Sequence, residues 1–144
     1  MSNNLAYQIE IRAPRAKVWQ MMLGDAGYRE WTAAFFEGSY FQGRWETGAD
    51  MLFLGPSGEG MRAVIEQASE PDFVSIRHLG EWRNGAPVEN PDWKDATESY
   101  RLSETQAGTT RVDVALTEIP ESYHEMMNKT WATALAKLKA ICEP

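Results

Sequence analysis

The C-terminal residues 122–142 carry the pattern that most constrains the fold. One face of a helix is apolar there except at Thr130, with the spacing of three and four residues that an amphipathic helix requires. That face comprises positions 123, 126, 127, 130, 131, 134, 135, 138, 141 and 142. Ser122 followed by Glu125 predicts a capping box at its start. A helix of about 20 residues is about 30 Å long, so it can cross a whole sheet and bury its apolar face there.

The chain before this helix predicts an antiparallel sheet. Residues 5–12 alternate between apolar and polar, which indicates a half-buried strand with Leu5, Tyr7, Ile9 and Ile11 on one face. Turn-rich segments at 46–48, 55–58, 70–72 and 105–108 separate further strands. We predict those strands at 39–44, 49–54, 60–69, 73–82, 97–103 and 110–118. Short turns between consecutive strands favour an antiparallel meander.

Two short helices are predicted after the first strand. Pro14 suits the first position of a helix, and residues 18, 19, 22 and 23 form one apolar stripe that ends at Gly24. Asp25 is expected to cap the second helix, which carries Tyr28 and Trp31 on one side. Residues 83–96 include Asn84-Gly85 and two prolines, and we interpret them as a loop at the rim of the sheet.

Four local motifs accompany this order of elements: residues 9–14 (Ile-Glu-Ile-Arg-Ala-Pro), Val18-Trp19, 28–31 (Tyr-Arg-Glu-Trp) and the closing stretch 131–139. With these motifs, the chain resembles the SRPBCC (START/birch-pollen-allergen-like) superfamily. The close, Gly48 and Glu70-Pro71 are similar to the subgroup related to the activator of the heat-shock-protein ATPase. The resemblance implies an α+β helix-grip fold over 1–144 as one domain, in which a curved sheet encloses a cavity beside the last helix. The superfamily includes lipid carriers, hormone receptors, polyketide cyclases and co-chaperone domains, so its fold does not fix one function.

Composition excludes several classes of protein. The formal net charge is −7 and no basic run is present, which argues against a nucleic-acid partner or an anionic membrane surface. No apolar stretch approaches the length of a membrane span, and we expect no signal peptide. Cys142, the single cysteine, fits a cytoplasmic protein and is read as a small core residue. His78 and His124, the only histidines, have no metal-ligand spacing, so neither a metal nor a cofactor is predicted.

Three polar side chains are candidates for the interior of the sheet. Alternation along 73–82 groups His78 with Val74, Ile76 and Gly80. An inward Leu102 takes Tyr100 and Glu98 to the same side. The three together would form an acid–base cluster, and they are the weak catalytic candidates. The alternatives are a core histidine bonded to a neighbour and a solvated Glu98 at the end of its strand.

Large aromatic and methionine side chains supply the predicted ligand-binding set. The chain has six tryptophans, five tyrosines and five phenylalanines, which fill cores but also line ligand cavities. The predicted set is Trp31, Phe35, Phe53, Met61, Ile76, His78, Tyr100, Tyr123, Met127 and Trp131; Phe36 and Met126 belong to the wider aromatic and methionine pool. The inward face of 60–69 stays open, because Met61, Ala63 and Ile65 compete with Arg62, Val64 and Glu66.

Three functions are compatible with these observations. The first is binding of a small hydrophobic or lipid-like molecule in the cavity, without catalysis. The second is a cyclase or dehydratase that uses His78, Tyr100 or Glu98 for proton transfer, which requires these side chains to converge inside the pocket. The third is a co-chaperone-like module, which requires an exposed apolar patch. A protein partner or a homodimer is compatible with any of them.

Overall fold

A computed structural model describes residues 4–89 and 94–144 of the chain. Its sheet has eight strands, and adjacent strands are antiparallel. Their bounds are β1 Leu5–Ile11, β2 Tyr40–Gly43, β3 Asp50–Leu54, β4 Gly60–Ser69, β5 Phe73–Arg83, β6 Ala86–Val88, β7 Thr97–Gln106 and β8 Thr109–Thr117. The sheet order is β1-β8-β7-β5-β4-β3-β2, and the short β6 pairs with the end of β5. The helix-grip prediction is confirmed.

The two short helices are α1 (Arg15–Leu23) and α2 (Asp25–Thr32). The predicted stripe of α1 is buried, and so are Tyr28 and Trp31 of α2. The predicted cap at Asp25 is wrong, because Asp25 is the first residue of α2 and Gly24 stands at the cap position. The Asp25 carboxylate instead accepts from Arg29 Nε at 3.1 Å, one turn further on.

The long helix α3 spans His124–Cys142 and follows a 3₁₀ turn at Glu121–Tyr123. Its buried side chains are Trp131, Ala134, Leu135, Leu138 and Cys142, and it packs against α1, α2 and β1. The predicted capping box is wrong, because the 3₁₀ turn shifts the start of α3 to His124 and no side chain caps it. Met126 also departs from the prediction: it is 46% exposed, since the apolar face turns fully inward only from Trp131 onward.

Two β-bulges decide which side chains of β4 and β5 face inward. Arg62 pairs with Gly80 and Ala63 with His78, so Leu79 is an extra residue on β5; Glu66 is the corresponding extra residue on β4. On β4 the inward face is the one with Ala63 and Ile65, both of which are at most 1% exposed. An inserted residue reverses the alternation beyond it.

The segment predicted as a rim loop is partly a hairpin. Strand β5 continues to Arg83, a turn follows at Asn84 and Gly85, and β6 pairs back onto 81–83. Positive φ angles of 53° at Asn84 and 73° at Gly85 give the turn the geometry that Asn-Gly favours in a two-residue hairpin. The prediction for 90–93 lies outside the described residues.

Candidate functional site

A cavity of about 830 Å³ lies between the concave face of the sheet and α3. Its lining combines aromatic and aliphatic side chains from α2, the sheet and α3 with nine polar or charged ones. Of the predicted ligand-binding set, the lining includes Phe35, Phe53, Met61, His78, Tyr100, Tyr123, Met127 and Trp131. Exposed lining residues, among them Phe36, Glu59 and Arg83, mark where the cavity meets solvent. A volume of this size accommodates a drug-sized molecule.

Two predicted members, Trp31 and Ile76, lie behind the cavity wall instead of in it. Each is 1% exposed and belongs to the core. The indole N–H of Trp31 donates to the carbonyl oxygen of Met22 at 2.9 Å, which ties α2 to the end of α1. Ile76 is paired with Ile65 and Glu98 on the neighbouring strands. Their apolar character fits a core and a cavity equally well, so sequence alone did not separate the two.

Trp131 of α3 is the centre of the aromatic wall. Its ring lies 4.9 Å from Phe35, 5.7 Å from Trp31 and 6.0 Å from both Tyr7 and Tyr100, measured between centroids. These rings come from β1, β7, α2 and the residues after α2. Trp131 therefore packs α3 against β1 and β7 of the sheet and against α2 with the residues that follow it. Trp131 is also a lining residue of the cavity.

The three predicted polar residues converge on one patch of the wall. His78 Nε2 lies 3.4 Å from Glu98 Oε1, and the Tyr100 hydroxyl donates to Glu98 Oε2. The side chains of His78 and Glu98 are 11% and 23% exposed, so the carboxylate is largely shielded from bulk water. Glu98 thus lies inside, bonded on both oxygens, as a half-buried carboxylate requires.

The bulge at Leu79 brings two further charged residues to the cavity, which sequence reasoning missed. Beyond it, Glu81 and Arg83 face the cavity, whereas the uninterrupted alternation placed Gly80 there. Arg83 Nε donates to Glu81 Oε1 at 2.9 Å, and the pair lies near the mouth. The available signal was Gly80, because an isolated glycine inside a strand pattern indicates a β-bulge.

Tyr28 of α2 is also a lining residue that sequence reasoning did not include. Its ring is edge-on to Phe41 with a centroid distance of 5.0 Å, and it lies 6.2 Å from Phe53. Burial, and secondarily the negative charge of Glu98, raises the pKa of the Tyr28 phenol well above its ordinary value. The phenol therefore stays protonated at neutral pH. The shared helical face of Tyr28 and Trp31 was the available signal.

Other sequence predictions concern metal binding, membrane insertion, the single cysteine and the exposed apolar side chains. Among the described residues no group of three or more His, Cys, Asp or Glu side chains can hold a metal ion, and no helix is long and apolar enough to cross a membrane. Cys142 is fully buried, and burial raises the pKa of its thiol to about 11. The exposed large apolar side chains of the described chain are Phe36, Val88 and Met126, which lie in the loop after α2, on β6 and on α3.

Solved structures show the same fold at low sequence identity. The Aha1 dimer of Colwellia psychrerythraea matches with a TM-score of 0.76 and 21% identity over 97% of this chain and 96% of that one. CalU16 of Micromonospora echinospora matches with a TM-score of 0.73 and 17% identity over 98% and 76%. DynU16, of the dynemicin biosynthetic locus, matches with a TM-score of 0.72 and 15% identity over 97% and 47%.

Sequence comparison extends the likeness to a family. No curated protein matches the chain significantly. The profile of the family described as "Activator of Hsp90 ATPase homolog 1-like protein" matches residues 12–143. That match spans every element from α1 to α3, and it confirms the resemblance to this family. The chain belongs to the Activator of Hsp90 ATPase homolog 1-like family of the SRPBCC superfamily.

Proposed function

We propose that this protein binds a small hydrophobic molecule in the cavity between its sheet and α3. The observation that carries the proposal is the cavity itself. It measures about 830 Å³, and aromatic, aliphatic and methionine side chains line it together with the His78–Glu98–Tyr100 cluster and the Glu81–Arg83 pair. Burial of about 200 Å² of apolar ligand surface would contribute about 5 kcal/mol at 25 cal/mol per Å², before the cost of association. His78, Glu98 and Tyr100 would orient the polar end of the ligand.

An uncharged fluorescent probe tests this proposal. N-phenyl-1-naphthylamine should bind with a rise in emission, because the dye brightens when it leaves water for an apolar site. Met127→Trp should weaken binding at least about tenfold, about 1.4 kcal/mol, because Met127 lines the cavity and the larger side chain occupies it. Met126→Trp is the matched control, since Met126 is exposed on the same helix and outside the lining. Equal binding by both variants, or no binding by the wild type, would refute the proposal.

One observation favours a second function, proton-transfer catalysis of the cyclase or dehydratase type. His78 and Tyr100 both bond Glu98 on the cavity wall, so two proton-carrying groups share one carboxylate beside an apolar space. In a dehydration, such a set would remove the proton from the carbon next to a carbonyl. It would also protonate the departing β-hydroxyl, so that an enone and water form.

This second function has a direct assay. The β-hydroxyketone 4-hydroxy-4-(2-naphthyl)butan-2-one yields a conjugated enone that absorbs in the near ultraviolet. The protein should form this enone faster than buffer alone does. Both His78→Asn and Tyr100→Phe should lower the rate of enone formation by about 10²-fold or more. Product formation at the buffer rate, or variants as fast as the wild type, would leave binding as the better proposal.

The oligomeric state of the protein is a separate question from its ligand or its reaction. The Colwellia neighbour is a dimer, and the sequence left a dimer open for this chain. We propose the same assembly here, and light scattering after size exclusion should give twice the mass of one chain. The mass of a single chain at micromolar concentration would reject it.

A further inference from the structure

The Glu98 carboxylate is a hydrogen-bond acceptor on the cavity wall. The Tyr100 hydroxyl donates to Glu98 Oε2, and His78 Nε2 lies 3.4 Å from Glu98 Oε1. A carboxylate has more lone pairs than these two partners use. The Glu98 carboxylate therefore keeps acceptor capacity toward the cavity.

The charged side chains of the cavity lining are mostly acidic. Among the described lining residues, the three carboxylates of Glu59, Glu81 and Glu98 stand against one guanidinium, that of Arg83, which pairs with Glu81. Even with a positive charge on His78, the charged lining side chains remain negative in sum. Since charges buried beside apolar walls are weakly screened, an anionic ligand head group would be repelled from Glu98.

The aromatic residues of the cavity are a third feature that bears on the charge of the ligand. Tyr28, Phe53, Phe35 and Trp131 are aromatic residues of the cavity lining. Their π faces carry partial negative charge, which attracts a cation within about 6 Å of a ring centroid. Aromatic walls, an acceptor-rich polar patch and a negative lining all favour the same kind of ligand.

We propose that the ligand is a hydrophobic amine, an inference that rests on the proposed function. Such a ligand has an apolar, ring-containing body and a positively charged N–H donor that bonds Glu98. The amine end would lie at the His78–Glu98–Tyr100 patch, and the apolar body would extend along Trp131 toward Met127. Fatty acids and other hydrophobic carboxylates would be selected against. The chemistry needs no covalent step.

A matched series of probes tests the ligand class. 2-Naphthylmethylamine, 2-naphthalenemethanol and 2-naphthoate share one ring system and differ in the charge of the head group. At pH 7.5 and fixed salt, calorimetric titration should rank the amine tightest and the carboxylate weakest. The expected gap is about tenfold or more, the size of a charge-assisted hydrogen bond.

Two variants assign the gap to Glu98. Glu98→Gln should lower the ratio of amine to carboxylate affinity about tenfold and leave binding of the alcohol within about threefold. Glu104→Gln makes the same change at an exposed position of β7, so it controls for the net charge of the chain. If the carboxylate binds as tightly as the amine, or if both variants change the ratio equally, the amine class is wrong. Should Glu98→Gln fail to fold, the wild-type ranking still decides.

Failure of this proposal can be told from failure of the proposed function. If the alcohol or the carboxylate binds best, and Met127→Trp abolishes that binding, the cavity binds hydrophobic molecules and only the amine class is refuted. If none of the three probes binds and the neutral dye does not bind either, the binding function itself is refuted.

Discussion

Replacing Trp131 with alanine tests how α3 is held to the rest of the fold. The side chain is 2% exposed and its ring contacts four other rings at centroid distances of 4.9 to 6.0 Å. Removal of a buried tryptophan costs about 3–5 kcal/mol, through lost burial and the cavity left behind. We expect Trp131→Ala to lose about 4 kcal/mol of unfolding free energy.

Urea unfolding followed by far-ultraviolet circular dichroism measures this loss. With a slope of about 2 kcal/mol per molar urea, the midpoint should fall by about 2 M. Lys137→Ala is the matched control, because Lys137 is exposed on the same helix and should change stability by less than about 0.5 kcal/mol. A loss below about 1 kcal/mol for Trp131→Ala would refute the reasoning, since α3 would then be held mainly by its aliphatic residues.

Three further predictions follow from local contacts. The Glu143 carboxylate accepts from Lys139 Nζ at 2.5 Å and the Arg12 backbone N–H at 2.9 Å, which lowers its pKa to about 2. Its stabilisation is present above pH 4.5 and is lost toward pH 2, so Glu143→Gln should be less stable than the wild type at pH 6 and equal to it near pH 2, by urea midpoints. Cys142, with its raised pKa and full burial, should react with a thiol reagent at pH 8 only after urea unfolds the chain; rapid reaction of the native protein would contradict its burial. Gly60→Ala should lower the midpoint of thermal unfolding by several degrees, because a Cβ at position 60 would lie 1.9 Å from the carbonyl oxygen of Phe53 in β3. An unchanged midpoint would contradict this, since β3 and β4 would then move apart without cost to admit the Cβ.

Much of the candidate site was accessible from local pattern. The alternation that buries Leu102 also fixes Tyr100 and Glu98 on its side of β7, and the alternation from Val74 fixes His78 on β5. Period-two geometry holds along any unbroken strand, so these inferences needed no knowledge of neighbouring strands. That His78 touches Glu98 was not accessible, because this contact depends on the register between β5 and β7.

Start signals of helices were the weaker part of the sequence reasoning. Ser122 and Glu125 have the spacing of a capping box, but a 3₁₀ turn at Glu121–Tyr123 precedes α3 and displaces its first residue. Asp25 suits a cap, yet it lies one position inside α2. Such choices differ by single hydrogen bonds of about 1 kcal/mol, and the packing of α3 and α2 against the sheet outweighs them.

The long amphipathic helix, the succession of strands apart from β6 and the inward side of each unbroken strand were therefore determined by sequence alone. They follow from periodicities of the chain itself. Tertiary structure alone decided that the bulge at Leu79 turns Glu81 and Arg83 to the cavity, that Trp31 lies apart from the lining, and that Glu98 contacts His78. Each of these depends on how one strand or helix is registered against another, which periodicity along the chain does not encode.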